Sequence, residues 1–382
     1  MGMKLAFKRP KAGRTQWVSI LFLTLSPIIG GAGLIWFLST GTLSGPTLIL
    51  AGAIAVVAGM ATTAGYHRLF SHRSYEASLA VRVWLLIVGL LGLQGSALEW
   101  SIDHRAHHKY VDRDKDPYSI KKGFWFAHIL WIFKTRPRDF RPSHNADLFR
   151  DKFVFFQHRY FMPLAIFMNF ALPTAIAGIF WGDALGGFLI AGFLRLVFTH
   201  HSTFFINSLC HFSGSQPYSD KHTARDNAIT AFFTWGEGYH NFHHEFANDY
   251  RNGVRWYQYD PGKWAIKLMS YLHLAWGLKR VPDTTIKQRR MQMQKGKTLS
   301  QLEKWGWTEE RKQAFNSQLD ATLAAFKRRA AVMNEIRNKL KTDAARATTA
   351  RLDLLQARYE RLKDAVEETA IEWKLLRRQA RS

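Results

Sequence analysis

Long apolar runs dominate the first half of the chain and predict membrane-spanning helices. Each run is about 20 residues long, enough to cross a hydrocarbon core of about 30 Å. The four runs are Trp17–Leu38, Pro46–Tyr66, Phe161–Trp181 and Gly186–Ile206. The first is longer than the apolar part of a signal peptide, so we interpret it as a span rather than a cleaved leader. Basic residues before Trp17 predict a cytoplasmic N-terminus, and the short loops within each pair of spans return the chain to that side.

A shorter apolar segment, Val83–Leu98, lies between the second and third spans. Its most apolar part, Val83–Leu93, has about 11 residues, which is short for a span and favours a buried or interfacial helix. We therefore expect this segment to return to the side from which it started. Residues 99–160 are polar, aromatic and basic, and no segment after Asn207 is apolar enough to cross a bilayer.

The composition changes at about Asp283, which predicts two domains, residues 1–282 and residues 283–382. The second is rich in Lys, Arg, Glu and Ala, and apolar residues recur in it at three- and four-residue spacing. Such heptad seams predict a helical hairpin, one long helix, or a coiled coil that pairs with another chain. The seams are Leu319, Leu323, Phe326, Ala330 and Met333, and then Leu352, Leu355, Tyr359, Leu362, Val366, Thr369, Trp373 and Leu376.

The net charge is +24, and charged residues are concentrated in the last quarter of the chain. Residues 283–382 carry a net charge of about +10, which favours an anionic lipid surface as a partner. Nucleic acid is the weaker candidate, because the basic residues alternate with acidic ones as on an ordinary solvated helix. Arg195 lies inside the fourth span, where we expect a buried ion pair or a side chain that extends to the interface.

Cysteine and histidine counts restrict the chemistry of any metal site. The single cysteine, Cys210, excludes an intramolecular disulfide framework and a thiolate zinc ribbon. Sixteen histidines indicate that a bound metal would be held mainly by nitrogen. Ten residues in four clusters are the candidate ligands: His67 and His72; His104, His107 and His108; Asn207 and His211; and His240, His243 and His244.

The spacing within these clusters has a structural meaning. Residues three and four apart share one face of a helix, so each His-x-x-His-His set should converge. His67 and His72 are five apart and would diverge by about 140° on a continuous α-helix. We therefore expect the second span to end near His67. Nine histidines exceed the needs of one metal and predict two metals with four or five nitrogens each. Imidazole suits Fe, Cu, Zn or Ni, and iron is favoured because the site calls for a redox metal.

The motifs resemble those of the integral-membrane fatty-acid desaturases, specifically the acyl-CoA Δ9 (stearoyl-CoA) type. The resemblance covers about residues 15–280. It rests on Gly65-Tyr-His-Arg-Leu-Phe-Ser-His72, Glu99-Trp-Ser-Ile-Asp-His-Arg-Ala-His-His108, Asn207-Ser-x-x-His211 and Gly236-Glu-Gly-Tyr-His-Asn-Phe-His-His244.

The resemblance implies an all-α fold of four transmembrane helices with a cytoplasmic helical cap. It also implies that the nine histidines bind two irons, with Asn207 acting through a water, and that no other residue is catalytic. An acyl chain would lie in a narrow tunnel that bends beside the metals. The resemblance places Gln94, Trp100, Thr203 and Phe204 at that bend, retains Asp103, and leaves Lys134, Arg136 and Arg138 as phosphate partners. Gly95 and Ile102 depart from the family pattern.

The function implied is O2-dependent insertion of a cis double bond into a saturated acyl chain, carried by CoA or, alternatively, by phospholipid. No cytochrome b5 domain follows residue 280, so we expect a separate electron donor of the cytochrome b5, ferredoxin or rubredoxin type with its reductase. A related membrane di-iron hydroxylase or alkane monooxygenase is one rival hypothesis. A membrane scaffold acting through the C-terminal helices is the other.

Overall fold

The computed structural model describes residues 13–135, 138–141, 144–343 and 347–380. These residues form two compact units. The first comprises the described residues up to Ser215 together with 221–280, and the second comprises 216–220 with the described residues from Val281 onward. The domain boundary after residue 282 stays a prediction.

Helices account for almost all regular structure in the described part of the first unit. In a two-stranded antiparallel ribbon, β1 (Glu76–Ala77) pairs with β2 (Ala275–Trp276). The helices are α1 (Trp17–Thr40), α2 (Gly45–Ser71), α3 (Leu79–Gly89), α4 (Ala97–Tyr110), α5 (Phe124–His128), α6 (Ala146–Arg150), α7 (Lys152–Arg159), α8 (Phe161–Trp181), α9 (Ala184–Phe212), α10 (Ala228–Phe233), α11 (His240–Glu245) and α12 (Pro261–Tyr271).

Four of these helices are long and apolar enough to cross a membrane, namely α1, α2, α8 and α9. They coincide with the four predicted runs and confirm the all-α membrane fold. Local signals set their ends. Gly41 adopts a left-handed φ of 66° and ends α1, as glycine commonly does after a helix. The Ser44 hydroxyl accepts a hydrogen bond from Thr47 N and begins α2.

The helix that carries His67 continues beyond it to Ser71, and His72 lies directly after that end. After Met60, α2 continues to Ser71 with π-helical geometry, in which each amide bonds to the carbonyl five residues earlier. The His72 amide donates to the His67 carbonyl at 3.1 Å. A spacing of five residues therefore places both rings on one side of the helix, with centroids 4.9 Å apart.

The short apolar segment forms a bent helical pair. Helix α3 ends in a 3-10 turn, Leu90–Gly92, and α4 then leaves at an angle of 81°. Leu93 and Gly95 both have positive φ values, 45° and 92°, which allow the reversal. Ser96 caps the first turn of α4. The pair brings the α4 histidines back to His72, as the sequence predicts.

Arg195 is buried within α9, but the expected ion pair is not what holds it. Its guanidinium donates to two backbone carbonyls, Ala191 O and Leu91 O, and to the Asn169 side-chain oxygen. All three acceptors are neutral, and the side chain does not extend to an interface because the residue is only 4% exposed.

The second unit consists of α13 (Asp283–Lys304), α14 (Glu309–Asp343) and α15 (Thr349–Gln379). The two predicted seams pack against each other around the buried Trp373, so the hairpin is the alternative that the structure adopts. The Trp373 indole N–H donates to Gln294 at 2.9 Å and ties α13 to the pair. Pairing with another chain through a coiled coil stays a prediction.

We expect truncation after Pro282 to leave the chemistry of the first unit measurable while lowering stability or assembly. The second unit buries its own apolar core, and none of the predicted metal or substrate residues lies in it. Product formation by the truncated protein, supplied with artificial electrons, is the measurement. A truncated protein that is folded and metal-loaded yet inert would contradict this expectation.

Candidate metal centre

Nine histidines from α2, α4, α9 and α11 and from the residue that follows α2 form two adjacent groups. In each group, one ring nitrogen per residue lies within 4.8 Å of those of the others. We call them the five-histidine group and the four-histidine group. The five-histidine group is His67, His72, His104, His108 and His243. The four-histidine group is His107, His211, His240 and His244.

The distances within the groups fit metal coordination. Facing Nε2 atoms are 2.8 Å apart for His72 and His104, 3.0 Å for His67 and His243, and 3.1 Å for His211 and His240. Two nitrogens bound at right angles to one metal, each about 2.0–2.1 Å from it, would be about 2.9 Å apart. Such a pair needs either a ring hydrogen or a cation between its nitrogens. His243 Nε2 faces both His67 and His108, which one ring hydrogen cannot satisfy, so the residues present fit metal ions.

Each His-x-x-His-His motif serves both groups. From α4, His104 and His108 join the five-histidine group and His107 joins the four-histidine group. From α11, His243 joins the five-histidine group while His240 and His244 join the other. The motifs converge as predicted, but their members divide between two sites. The rings of His108 and His244, one from each group, stack 4.3 Å apart, so the sites are neighbours.

Burial favours the neutral form of several of these imidazoles. Removal from water, followed by the proximity of other imidazoles, lowers the pKa of His72, His240, His243 and His244 well below its usual range. A neutral imidazole offers a lone pair on one nitrogen, which metal binding requires.

Hydrogen bonds on the far side of three rings orient those lone pairs. His67 Nδ1 lies 2.7 Å from a carboxylate oxygen of Glu237, and His107 Nδ1 donates to Asp116 at 2.8 Å. Because a carboxylate only accepts, Nδ1 carries the hydrogen and Nε2 presents its lone pair to the centre of the group. The sequence analysis did not identify Asp116, although it lies nine residues after His107 in a short polar loop.

The third oriented ring, His211, has an indirect acidic partner. Its Nδ1 lies 2.7 Å from the Thr223 hydroxyl, which donates to Asp112 at 2.7 Å. The hydroxyl oxygen therefore accepts a hydrogen bond from His211 Nδ1. The carboxylate polarises this hydroxyl and so strengthens its bond to the ring. Nothing in the sequence pattern links Asp112 to Thr223, since 111 residues separate them.

Glu237 belongs to a buried ionic network as well. Arg68 donates to Glu237 at 3.2 Å and to Asp260 at 2.8 Å, and Asn252 donates to the other Glu237 oxygen at 2.9 Å. Burial by itself raises the pKa of a carboxyl, but the neighbouring His67 and Arg68 outweigh it and hold the pKa of Glu237 at about 2. The network thus fixes the carboxylate that orients His67.

A cavity of about 1110 Å³ extends from the histidines between α1, α8 and α9. His67, His104 and His240 form part of its wall near the metal groups, and apolar residues such as Phe22 and Phe170 line the remainder. The predicted ligand Asn207 also lines it, as do seven of the predicted substrate residues: Gln94, Trp100, Asp103, Thr203, Phe204, Lys134 and Arg138. Arg136 lies outside the described residues.

Polar contacts shape the wall near the metals. Gln94 Nε2 donates to the Thr203 hydroxyl at 2.8 Å, and the Trp100 indole stacks on the His104 ring at 4.9 Å. The predicted phosphate partner Arg138 is engaged by Glu99 at 2.8 Å and Asp103 at 2.9 Å. Two carboxylates therefore offset its charge.

Comparisons with known proteins point to one family. The profile described as "Fatty acid desaturase" matches residues 44–276, more than half of the chain. The "Probable acyl-CoA desaturase" of Schizosaccharomyces pombe (strain 972 / ATCC 24843) is 47% identical over 285 residues, covering 74% of this chain and 58% of that protein. "Acyl-CoA desaturase 1" of Saccharomyces cerevisiae (strain ATCC 204508 / S288c) is 40% identical over 299 residues, covering 76% of this chain and 57% of that protein. Human "Stearoyl-CoA desaturase 5" is 37% identical over 250 residues, covering 64% of this chain and 76% of that protein.

The chain spans less than two thirds of the two yeast relatives, at 58% and 57% of their lengths. The profile match nevertheless includes all nine clustered histidines and three of the four candidate spans. This protein belongs to the fatty acid desaturase family.

Proposed function

We propose that this chain catalyses the O2-dependent insertion of a cis double bond, at the Δ9 position, into a saturated acyl chain carried by CoA. The observation that carries the proposal is the pair of histidine groups beside a long, mostly apolar cavity. The names of the relatives, acyl-CoA desaturase and stearoyl-CoA desaturase, support the same substrate class.

The proposed cofactor is two irons, one in each histidine group. Bound there, they would supply the oxidising chemistry that, with O2 and two electrons, removes two hydrogens from neighbouring methylenes. The nine histidines are the proposed ligands, and Asn207 would contribute through a water. Glu237, Asp116 and the Asp112–Thr223 pair hold three of the imidazoles in the required orientation.

The cavity wall would position the acyl chain relative to the metals. Successive methylenes are chemically alike, so only a rigid wall can place one pair beside the metals. Gln94, Thr203, Phe204 and Trp100 form that wall near the histidines. Lys134 and Arg136 are the proposed partners of the carrier phosphates, and Asp103 pairs with Arg138.

A heterologous expression experiment tests the proposal. Cells that express the chain should accumulate unsaturated acyl chains, and mass spectrometry should locate the double bond after the ninth carbon. The His243→Ala variant is the matched negative control. An alcohol product would instead indicate a hydroxylase. Purified protein that acts on phospholipid but not on acyl-CoA would overturn the proposed carrier.

We also propose that both termini and all nine histidines face the cytoplasm, where a separate carrier of the cytochrome b5, ferredoxin or rubredoxin type delivers electrons. Residues 1–282 would form the catalytic domain, and the basic residues 283–382 would lie near the inner leaflet or mediate self-association.

The orientation predicts a labelling pattern. In a Cys210→Ala background, single cysteines placed in the described residues 110–135 should react with a membrane-impermeant reagent only after the cells are opened. A cysteine in the loop 41–44 should react from outside. Labelling of residues 110–135 in intact cells would contradict the orientation.

A further inference from the structure

Buried carbonyl groups at the end of α3 are bound by polar side chains from two other helices. The last carbonyls of a helix have no partner within it, and an unpaired carbonyl away from water is strongly unfavourable. The final turn of α3 lies inside the protein, with Leu90 and Leu91 only 2% and 5% exposed. Water is therefore not available to these carbonyls, and the protein itself must supply the donors.

Leu90 O accepts from Leu93 N at 3.0 Å, and three side chains, one from α8 and two from α9, donate to these carbonyls as well. The contacts are Asn169 Nδ2 to Leu90 O at 2.8 Å, Arg195 Nη1 to Leu91 O at 2.7 Å, and His200 Nε2 to Gly92 O at 3.1 Å. Since His200 Nε2 donates, it must carry the ring hydrogen. We call Asn169, Arg195 and His200 the carbonyl clamp.

The clamp also explains why an arginine lies within a membrane span. Arg195 Nη2 donates to Asn169 Oδ1 at 2.8 Å and its Nε donates to Ala191 O at 3.0 Å, so the donors are shared among neutral oxygens. Its positive charge faces the C-terminal end of α3, which carries the negative end of the helix dipole. Arginine thus stabilises a helix end that points into the protein.

Residues immediately after the clamped turn form the cavity wall. Leu93, Gln94 and Gly95 line the cavity, and Gln94 donates to Thr203 of α9. On α9, His200 lies on the same face as Thr203 and Phe204, and its ring stacks parallel to Phe204 at 5.8 Å. One face of α9 therefore holds the turn and lines the cavity at once.

The clamp joins elements that carry histidines of both groups. Helix α4 follows the turn directly and bears His104, His107 and His108, and α9 bears His211 beyond the clamp. A shift of the turn along α9 would move Gln94 relative to the histidines. The position of the cavity wall relative to the metal groups thus depends on the clamp.

We propose that the carbonyl clamp positions the turn at Gln94 and thereby determines which pair of methylenes reacts. This inference rests on the proposed desaturase function. Neighbouring pairs of methylenes differ only in their place along the acyl chain. A small displacement of the cavity wall therefore brings a different pair next to the metals. Asn169 and Arg195 are positioning residues, since they belong neither to the metal groups nor to the cavity lining, whereas His200 also lines the cavity.

Substitutions at the clamp test the proposal through the position of the double bond. His200→Phe keeps the stacking on Phe204 but removes the ring N–H donor. Arg195→Met removes the positive charge and all the guanidinium N–H donors. Arg195→Lys keeps the charge and should give an intermediate result. Thr199→Val is the matched control, because Thr199 is buried on the same helix and its hydroxyl donates to the Arg195 carbonyl of that helix.

We expect His200→Phe and Arg195→Met to keep their metal while the ratio of minor to major positional isomers rises at least tenfold in mass spectrometry of the lipids. Thr199→Val should retain the wild-type ratio. An unchanged isomer ratio in His200→Phe and Arg195→Lys would overturn the proposal. Loss of metal and activity together, with the remaining product at the wild-type position, would overturn it too.

Hydrogen–deuterium exchange of residues 90–98 in the purified proteins supplies a readout that does not need turnover. Exchange should be faster in His200→Phe and Arg195→Lys than in wild type and Thr199→Val. Equal exchange in all four proteins would overturn the clamp. A wild type that forms no double bond would contradict the proposed desaturase, and exchange would then decide alone whether the clamp holds the turn.

Discussion

Alanine at any one of the nine clustered histidines is expected to abolish desaturation and to remove the metal from its own group. Each ring points one nitrogen at the centre of a group with no carboxylate among its members. Without one imidazole, the metal ion has one ligand too few. The histidine ring that faced the missing imidazole also loses its neighbour. We expect metal bound per protein to fall by about half, since the other group keeps its ligands.

His243 and His244 give the sharpest form of this prediction. They are neighbours in sequence, yet His243 belongs to the five-histidine group and His244 to the four-histidine group. Each alanine variant should lose one metal, and the double variant should lose both. Metal analysis of the purified proteins, alongside product formation, is the measurement.

His128→Ala is the control for the loss of a buried histidine. His128 bonds to Ser208 and His201 and lies in neither group, so its replacement should leave the metal content near the wild-type value. Near-normal activity in two or more of the nine variants would contradict the two-metal interpretation. Equal metal loss in His128→Ala would show that the effect is general destabilisation.

The sequence predicts the parts of this site that depend on local spacing. Residues i, i+3 and i+4 must share a helix face, so the convergence of His104, His107 and His108 follows from their numbers alone. Their division between two groups does not follow, because it depends on where α11 and α9 approach α4. That approach is a matter of tertiary packing, which no local pattern records.

The backbone around His67 is a second feature that local spacing did not predict. Residues five apart do not share one face of an α-helix, which is why the sequence predicts that the helix ends near His67. The protein resolves it by widening the helix to π geometry from Ala61 to Ser71. π-helical segments are rare and often occur at functional sites, so a motif spaced by five is a signal that could have predicted one.

Partners of the histidines were predictable only where a motif contained them. Glu237 lies three residues before His240, within a motif on which the family resemblance rests. Asp116 and Thr223 were missed because their contacts cross loops of irregular structure. Arg195 was noticed because a charge in an apolar run is conspicuous, but its neutral partners come from α8 and the end of α3.

Replacing Glu237 with glutamine is expected to weaken metal binding about 10–100-fold, the usual effect of losing a carboxylate that orients a ligating histidine. The amide oxygen can still accept from His67 Nδ1, so the ring keeps its direction. The lost charge makes the imidazole a weaker base and a poorer ligand. Competition with a chelator, read as the concentration that removes half of the metal, measures the change.

Asp260→Asn separates this effect from a loss of stability. Asp260 shares Arg68 with Glu237, and it also accepts from the amides of Asn252, Gly253 and Lys263. Breaking such a buried pair costs about 3–5 kcal/mol, so Asp260→Asn should lower the melting temperature at least as much as Glu237→Gln does. None of these contacts involves an imidazole, so metal affinity should fall much less. Equal losses of affinity in the two variants would show that Glu237 acts on the metals only by stabilising the fold.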